Sequence, residues 1–156
     1  MDGRGPRRRA QVAYDTPGDD AVEEWVEIYN PTSAAIDLTG WKLKDGSGSF
    51  AFPAATQVAP GKHLIVARNG TGFTAWFGFA PHVAGMSLAL GNSGDSLRLV
   101  DAAAHEVDFV AWEATATGWP VSATTGGAIR RGMLDADTNS VADWTVSTPA
   151  RPRGTP

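Results

Sequence analysis

Cysteine is missing from all 156 residues, which excludes a disulfide framework, thiolate zinc sites and cysteine nucleophiles together. Long hydrophobic runs are missing too. None approaches the ~20 apolar residues of a membrane helix, and no signal-peptide core follows the Arg-rich start. An exported protein would therefore be represented here by a mature piece, or by a domain cut from a longer chain. Basic residues are scarce in the body of the sequence. Between Ala10 and Ile129 only Lys42, Lys44, Lys62, Arg68 and Arg98 oppose thirteen acidic residues, a net of −8 against −4 for the whole chain. Phosphate backbones are bound by a basic face on the folded part, so nucleic acid is not an expected partner.

What is present suits one domain. The composition is 42% hydrophobic with six Trp, enough apolar material for a core and too much for a wholly disordered chain. Gly 18 and Pro 10 punctuate the chain into short elements. Residues 1–9 read as a disordered basic arm or as residues foreign to the domain, 10–148 as the domain, and 149–156 as a Pro-rich tail or linker.

Apolar residues recur mostly with period two, the signature of half-buried strands. In Glu24-Trp25-Val26-Glu27-Ile28-Tyr29-Asn30, Val26 and Ile28 take the core face, and Trp25, Glu27 and Tyr29 the other. Between Ala35 and Lys44 the phase changes: Ile36 and Leu38 share one parity, Trp41 and Leu43 the other. A bulge at Thr39–Gly40 would return all four to the core. Met86, Leu88, Leu90, Leu97 and Leu99 alternate around Gly91-Asn92-Ser93-Gly94, which predicts a hairpin. Phe73, Trp76 and Phe77 at i, i+3 and i+4 predict one short helical turn near 73–79. Strands at roughly ten-residue spacing with almost no helix specify an all-β antiparallel sandwich. Its core is expected to hold Val26, Ile28, Leu38, Trp41, Leu43, Val66, Leu88, Leu97 and Leu99.

Several local patterns carry chemistry. Gly70-Thr71-Gly72-Phe73-Thr74-Ala75 fits the dinucleotide pattern, but no second βαβ unit follows it. Gly91-Asn92-Ser93-Gly94-Asp95 falls one glycine short of a nucleophile elbow. His63, His82 and His105 are scattered, so a small hydrolase would need a dispersed site. Asn69-Gly70-Thr71 is a glycosylation sequon, relevant only in a eukaryotic secretory pathway. Carboxylates cluster twice. Asp15, Asp19, Asp20, Glu23 and Glu24 crowd the first loop, and with Trp25 on the non-core face of its strand they form the first candidate binding patch. Asp135, Asp137, Asn139 and Asp143 form a D-x-D-x-N run with a following Asp, an oxygen-rich set suited to Ca²⁺. Ser140 and Val146 stand where an EF-hand carries its glycine and bidentate Glu. A calcium-stiffened spacer is thus the alternative to a binding module, and no other cofactor is expected.

The order of motifs resembles the lamin tail domain family. The resemblance is carried by Tyr14-Asp15-Thr16-Pro17-Gly18-Asp19-Asp20 leading into Glu24-Trp25-Val26-Glu27-Ile28-Tyr29-Asn30-Pro31, and by Asp37-Leu38-Thr39-Gly40-Trp41-Lys42-Leu43. It continues through Gly91-Asn92-Ser93-Gly94-Asp95-Ser96-Leu97, Val107-Asp108-Phe109-Val110-Ala111-Trp112, Ile129-Arg130-Arg131 and Asp143-Trp144, about residues 12 to 149. It departs at the start. Arg7-Arg8-Arg9-Ala10-Gln11 stands where the family has an apolar strand with an Asn-Glu pair, so a shortened or frayed first strand is expected. The resemblance implies an immunoglobulin-like accessory module that catalyses nothing. Nuclear lamins carry it after a coiled-coil rod, where it contacts proteins and DNA; prokaryotic relatives attach it to exported enzymes, nucleases and surface proteins. The resulting expectation is a secreted or cell-surface domain of a larger chain that binds a protein or surface polymer through its loops.

Overall fold

The computed structural model describes residues 8–132 and 137–154. Its strands are β1 (Arg8–Ala13), β2 (Trp25–Tyr29), β3 (Ile36–Asp37), β4 (Lys42–Lys44), β5 (Ser49–Ala51) and β6 (Gln57–Val58). They continue as β7 (His63–Ala67), β8 (Val83–Ala84), β9 (Asp95–Val100), β10 (Glu106–Trp112), β11 (Ala128–Arg131) and β12 (Trp144–Ser147). Helix α1 (Asp20–Glu23) precedes β2, and α2 (Gly70–Phe77) follows β7.

These elements make the sandwich that the alternation predicts. One sheet runs β12-β11-β1-β2-β7-β8 and the other β10-β9-β4-β5, with β3-β6 as a separate ribbon. Every pairing is antiparallel except β7 with β8. The inward residues of both sheets share one interior, in which Val12, Val26, Ile28, Leu43, Val66, Leu97, Leu99, Val110 and Trp112 are all buried. Burial of apolar area, worth roughly 25 cal/mol per Å², holds the layers together.

Three expectations are corrected. First, the phase change near Gly40 is not a bulge in one strand. Ile36 and Asp37 pair with β6, whereas Lys42–Lys44 pairs with β5 and β9, so the chain leaves the ribbon and joins the four-stranded sheet. The Trp41 amide donates to the Leu38 carbonyl at 2.9 Å across this step, and Gly40 supplies φ +79. The predicted consequence stands, because Ile36, Leu38, Trp41 and Leu43 are all buried. Second, 86–90 forms no ladder; β9 pairs with β10 and β4 instead. Met86, Leu88 and Leu90 are nevertheless buried, so their alternation reports an extended chain pressed on the core. Third, the basic arm does not stop short of the domain, because Arg8 and Arg9 belong to the first strand. β1 begins at Arg8, inside the expected arm, and lies between β2 and β11. Residues 1–7 lie outside the described ones.

The outer face of the six-stranded sheet is covered as well. Trp25, placed by its parity on the non-core face, is wholly buried there with Ala13, Ile65, Ala67, Ala128 and Ala150. Helix α2 supplies the cover: Phe73 and Phe77 meet the Trp25 ring edge-on at 5.9 and 5.5 Å. Asn69 caps this helix by accepting the Gly72 amide at 2.9 Å. The two glycines of the dinucleotide-like pattern serve packing. A Cβ on Gly72 would collide with Val22, where α1 meets α2, and one on Gly70 would press on Ala84.

The expected tail is also structured. Ala150 is buried, Arg151 O accepts the Gln11 side-chain amide at 2.7 Å, and the Arg153 and Gly154 amides donate to the Glu27 carboxylate at 2.8 and 2.9 Å. Residues 150–154 are therefore a strap across the outer face, not a free linker.

Candidate functional site

The acidic loop 15–24 closes one end of the sandwich, and its own side chains fix its shape. Asp20 Oδ1 accepts the amide and hydroxyl of Thr16 at 3.0 and 2.7 Å, which bends the chain back on itself. Asp19 caps α1 by accepting the Ala21 amide at 2.9 Å, while Glu23 reaches back to the Gly18 amide at 2.7 Å. Asp15 accepts the Thr125 hydroxyl at 3.1 Å, and its carbonyl accepts the Gly126 amide at 2.8 Å. Asn92 donates to Asp20 Oδ2 at 2.6 Å, so the loop 91–94 is tied to it. Trp112 Nε1 donates to the Gly91 carbonyl at 2.8 Å, which anchors that loop to β10.

Five carboxylates adjacent in sequence are thus divided by the fold. Asp19 is exposed, and Asp15, Asp20 and Glu23 are half-buried. Burial opposes ionisation of Asp20, but the bonds from Thr16 and Asn92 and the charge of Arg68 outweigh it and hold the carboxyl below its usual range. Glu24 points inward, its side chain 1% exposed, and accepts from Arg68 Nη1 at 3.0 Å and the Leu90 amide at 3.1 Å. Trp25 is core and offers no surface to a ligand, so the patch consists of Asp15, Asp19, Asp20 and Glu23 alone.

Glu24 leaves a pH signature. Burial pushes its carboxyl from 4.5 up to about 7, against the Leu90 amide and Arg68. Between those values the folded protein keeps a proton that the unfolded chain has released, so this group makes stability fall as pH rises from 4.5 to 7. His63 acts in the opposite sense. Burial, with the charges of Arg153 and His82, pushes it from 6.5 down to about 4, so stability is lost as pH falls through that window. Burial shifts Glu27 up and His82 down, adding one group to each side. The wild-type profile should be nearly flat where the windows overlap, and Glu24→Gln should unmask the histidines as stability rising toward pH 6.5. Urea midpoints across that range measure it; a variant as flat as the wild type would disprove the assignment.

Of the second cluster, Asp135 lies outside the described residues. Asp137 and Asp143 do come together, but around a cation the protein supplies itself, while Asn139 is exposed in the adjoining turn. Arg131, 1% exposed, places Nη1 at 3.4 Å from Asp143 and 3.7 Å from Asp137. Asp143 also accepts the Thr138 amide and hydroxyl, both at 2.8 Å. Asp137 Oδ1 receives the Asn139 amide at 3.0 Å, and Asn139 adopts φ 52 in the turn. Asp143 therefore spends both carboxylate oxygens on turn geometry and ion pairing.

The histidines separate. His105 lies 3.5 Å from Asp101 at the surface. His63 and His82 meet at a cleft on the outer face of the six-stranded sheet, lined also by Gly61, Lys62, Arg153 and Gly154. That lining contains neither a carboxylate nor a hydroxyl nucleophile. Sequence reading missed this site because Arg153 belongs to the expected tail and His82 is nineteen positions from His63.

A family model described as Lamin Tail Domain matches residues 10–114, more than half of the chain. No curated protein matches it. The match ends before β11 and β12, although β11 pairs directly with β1 inside the same sheet.

Proposed function

Given that the chain belongs to the lamin tail domain family, an immunoglobulin-like family of non-catalytic modules, we propose that it is a recognition domain of a larger, exported or surface-attached protein. Its face is the acidic loop 15–24, and its partner is a protein or surface polymer presenting positive charge. The observation that carries this reading is the pre-organisation of the loop. Each carboxylate is oriented by hydrogen bonds to its own turn or to a neighbouring loop, while Asp19 stays exposed and Asp15 and Glu23 half-exposed. Loops fixed on a rigid scaffold lose little conformational freedom on binding. The net of −8 over residues 10–129 extends the field to which a basic partner would be drawn. The hydrolase alternative gains no Ser-His-carboxylate arrangement from the cleft, whose lining holds neither a hydroxyl nucleophile nor a carboxylate.

Titration with an oligo-lysine peptide, followed by amide NMR shifts, tests the proposal. Saturable shifts centred on 15–24 are expected. They should weaken about tenfold in the triple variant Asp15→Asn, Asp19→Asn, Glu23→Gln, a loss of about 1.4 kcal/mol, and fade as salt is raised. Shifts spread evenly over the molecule, or a triple variant that binds as well as the parent, would refute it.

A further inference from the structure

We propose that the outer-face cleft is a binding site for a small phosphomonoester, gripped by His63, His82 and Arg153 with Lys62 at its mouth. The cleft holds about 360 Å³, at the small end of ligand pockets and several times the size of a bare phosphate. Its lining gathers two imidazoles, a guanidinium and an ammonium in a body otherwise dominated by acidic residues.

The hydrogen-bond inventory points to a missing acceptor. His82 Nδ1 accepts the Ile65 amide at 2.9 Å, so its ring proton sits on Nε2 and remains available as a donor. Arg153 Nη2 donates to the Arg131 carbonyl at 2.8 Å, whereas its Nη1 is buried without a partner. His63 Nε2 is buried without one too, as is Nε of Arg130; burial, and after it the like charge of Arg130, depresses the pKa of Arg153. Gln11 Oε1, opposite Arg130 in the ladder, is a buried acceptor without a partner. The nitrogens that call for an explanation are therefore the two of cleft residues, Arg153 Nη1 and His63 Nε2, since buried polar atoms are almost always paired. Glu27 cannot provide it. Its Oε1 is taken by Gln11 at 3.0 Å and its Oε2 by the amides of Arg153 and Gly154. An oxyanion in the cleft supplies acceptors for Nη1 and the imidazoles, and offsets the repulsion between the two arginines. A phosphoryl group, with more acceptor oxygens than a carboxylate, suits donors arriving from a turn, a strand, a loop and the strap. The acidic body disfavours a long polyanion, which selects a small ligand.

NMR titration of the full chain with glycerol 3-phosphate, at constant ionic strength, tests this. Saturable amide shifts confined to 61–63, 82 and 153–154 are expected, with inorganic phosphate moving the same amides and glycerol moving none. Arg153→Gln should weaken binding at least tenfold, and Lys62→Ala, at an exposed position that cannot compromise folding, about threefold. Absence of saturable shifts, equal shifts with glycerol, tight binding of a DNA duplex at these residues, or unchanged affinity in Lys62→Ala and in a folded Arg153→Gln would each overturn the proposal.

Discussion

Replacing Arg131 by alanine should lower stability by about 3–5 kcal/mol, the range for removing one partner of a buried ion pair. Arg131 lies on β11 of the six-stranded sheet and Asp108 on β10 of the other. Its Nη2 donates to both Asp108 carboxylate oxygens, at 3.0 and 3.2 Å, so one guanidinium bolts the layers together. The two side chains are 1% and 2% exposed, and the guanidinium carbon lies 4.8 Å from the centre of the Trp144 ring. Truncation would strand the Asp108 carboxylate in a dry interior and remove the cation facing Asp143 and Asp137. Arg131→Lys should recover little, since a single ammonium cannot reproduce the fork. The double variant Asp108→Leu, Arg131→Met should recover part of the loss, because the Asp108 charge leaves with its partner while Asp143 still loses its cation. Urea denaturation at unchanged slope measures all three. A loss below about 1 kcal/mol for Arg131→Ala would show that the pair does not fasten the sheets.

Glu27→Ala should cost about 3 kcal/mol and release the strap. The carboxylate is fully buried and gathers three donors from parts of the chain more than a hundred residues apart, so its removal leaves the Arg153 and Gly154 amides without acceptors. Released, the strap would expose the bond after Arg153 to trypsin, whereas Arg151 stays protected by the proline that follows it. Limited proteolysis with mass readout should therefore detect cleavage after Arg153 in the variant and not in the wild type. Glu27→Gln keeps one acceptor oxygen, and burial already disfavours the charged form, so its loss should be smaller. A strap equally protected in Glu27→Ala would mean that Ala150 and Gln11 suffice to hold it.

Much of this was legible in the chain. Alternation placed Val26, Ile28, Leu38, Trp41, Leu43, Val66, Leu88, Leu97 and Leu99 in the core, and all are buried. It did so even where the assumed element was wrong, because parity records which side a residue faces and not which strand pairs with it. The spacing of Phe73, Trp76 and Phe77 located α2. The carboxylate-rich stretch 15–24 was visible as a run of letters, but its division into exposed Asp19 and internal Glu24 was not.

Local pattern thus determined the fold class, the two-sided character of each strand and the acidic end of the molecule, because those properties repeat over neighbouring residues. Long-range contact decided the rest. Trp25 is core only because α2 lies over it, Asp137 and Asp143 face a guanidinium delivered from β11, and Glu27 and His63 acquire their surroundings from a strap more than ninety positions away. Burial and charge compensation depend on which distant segments meet, and spacing along one chain carries no record of that.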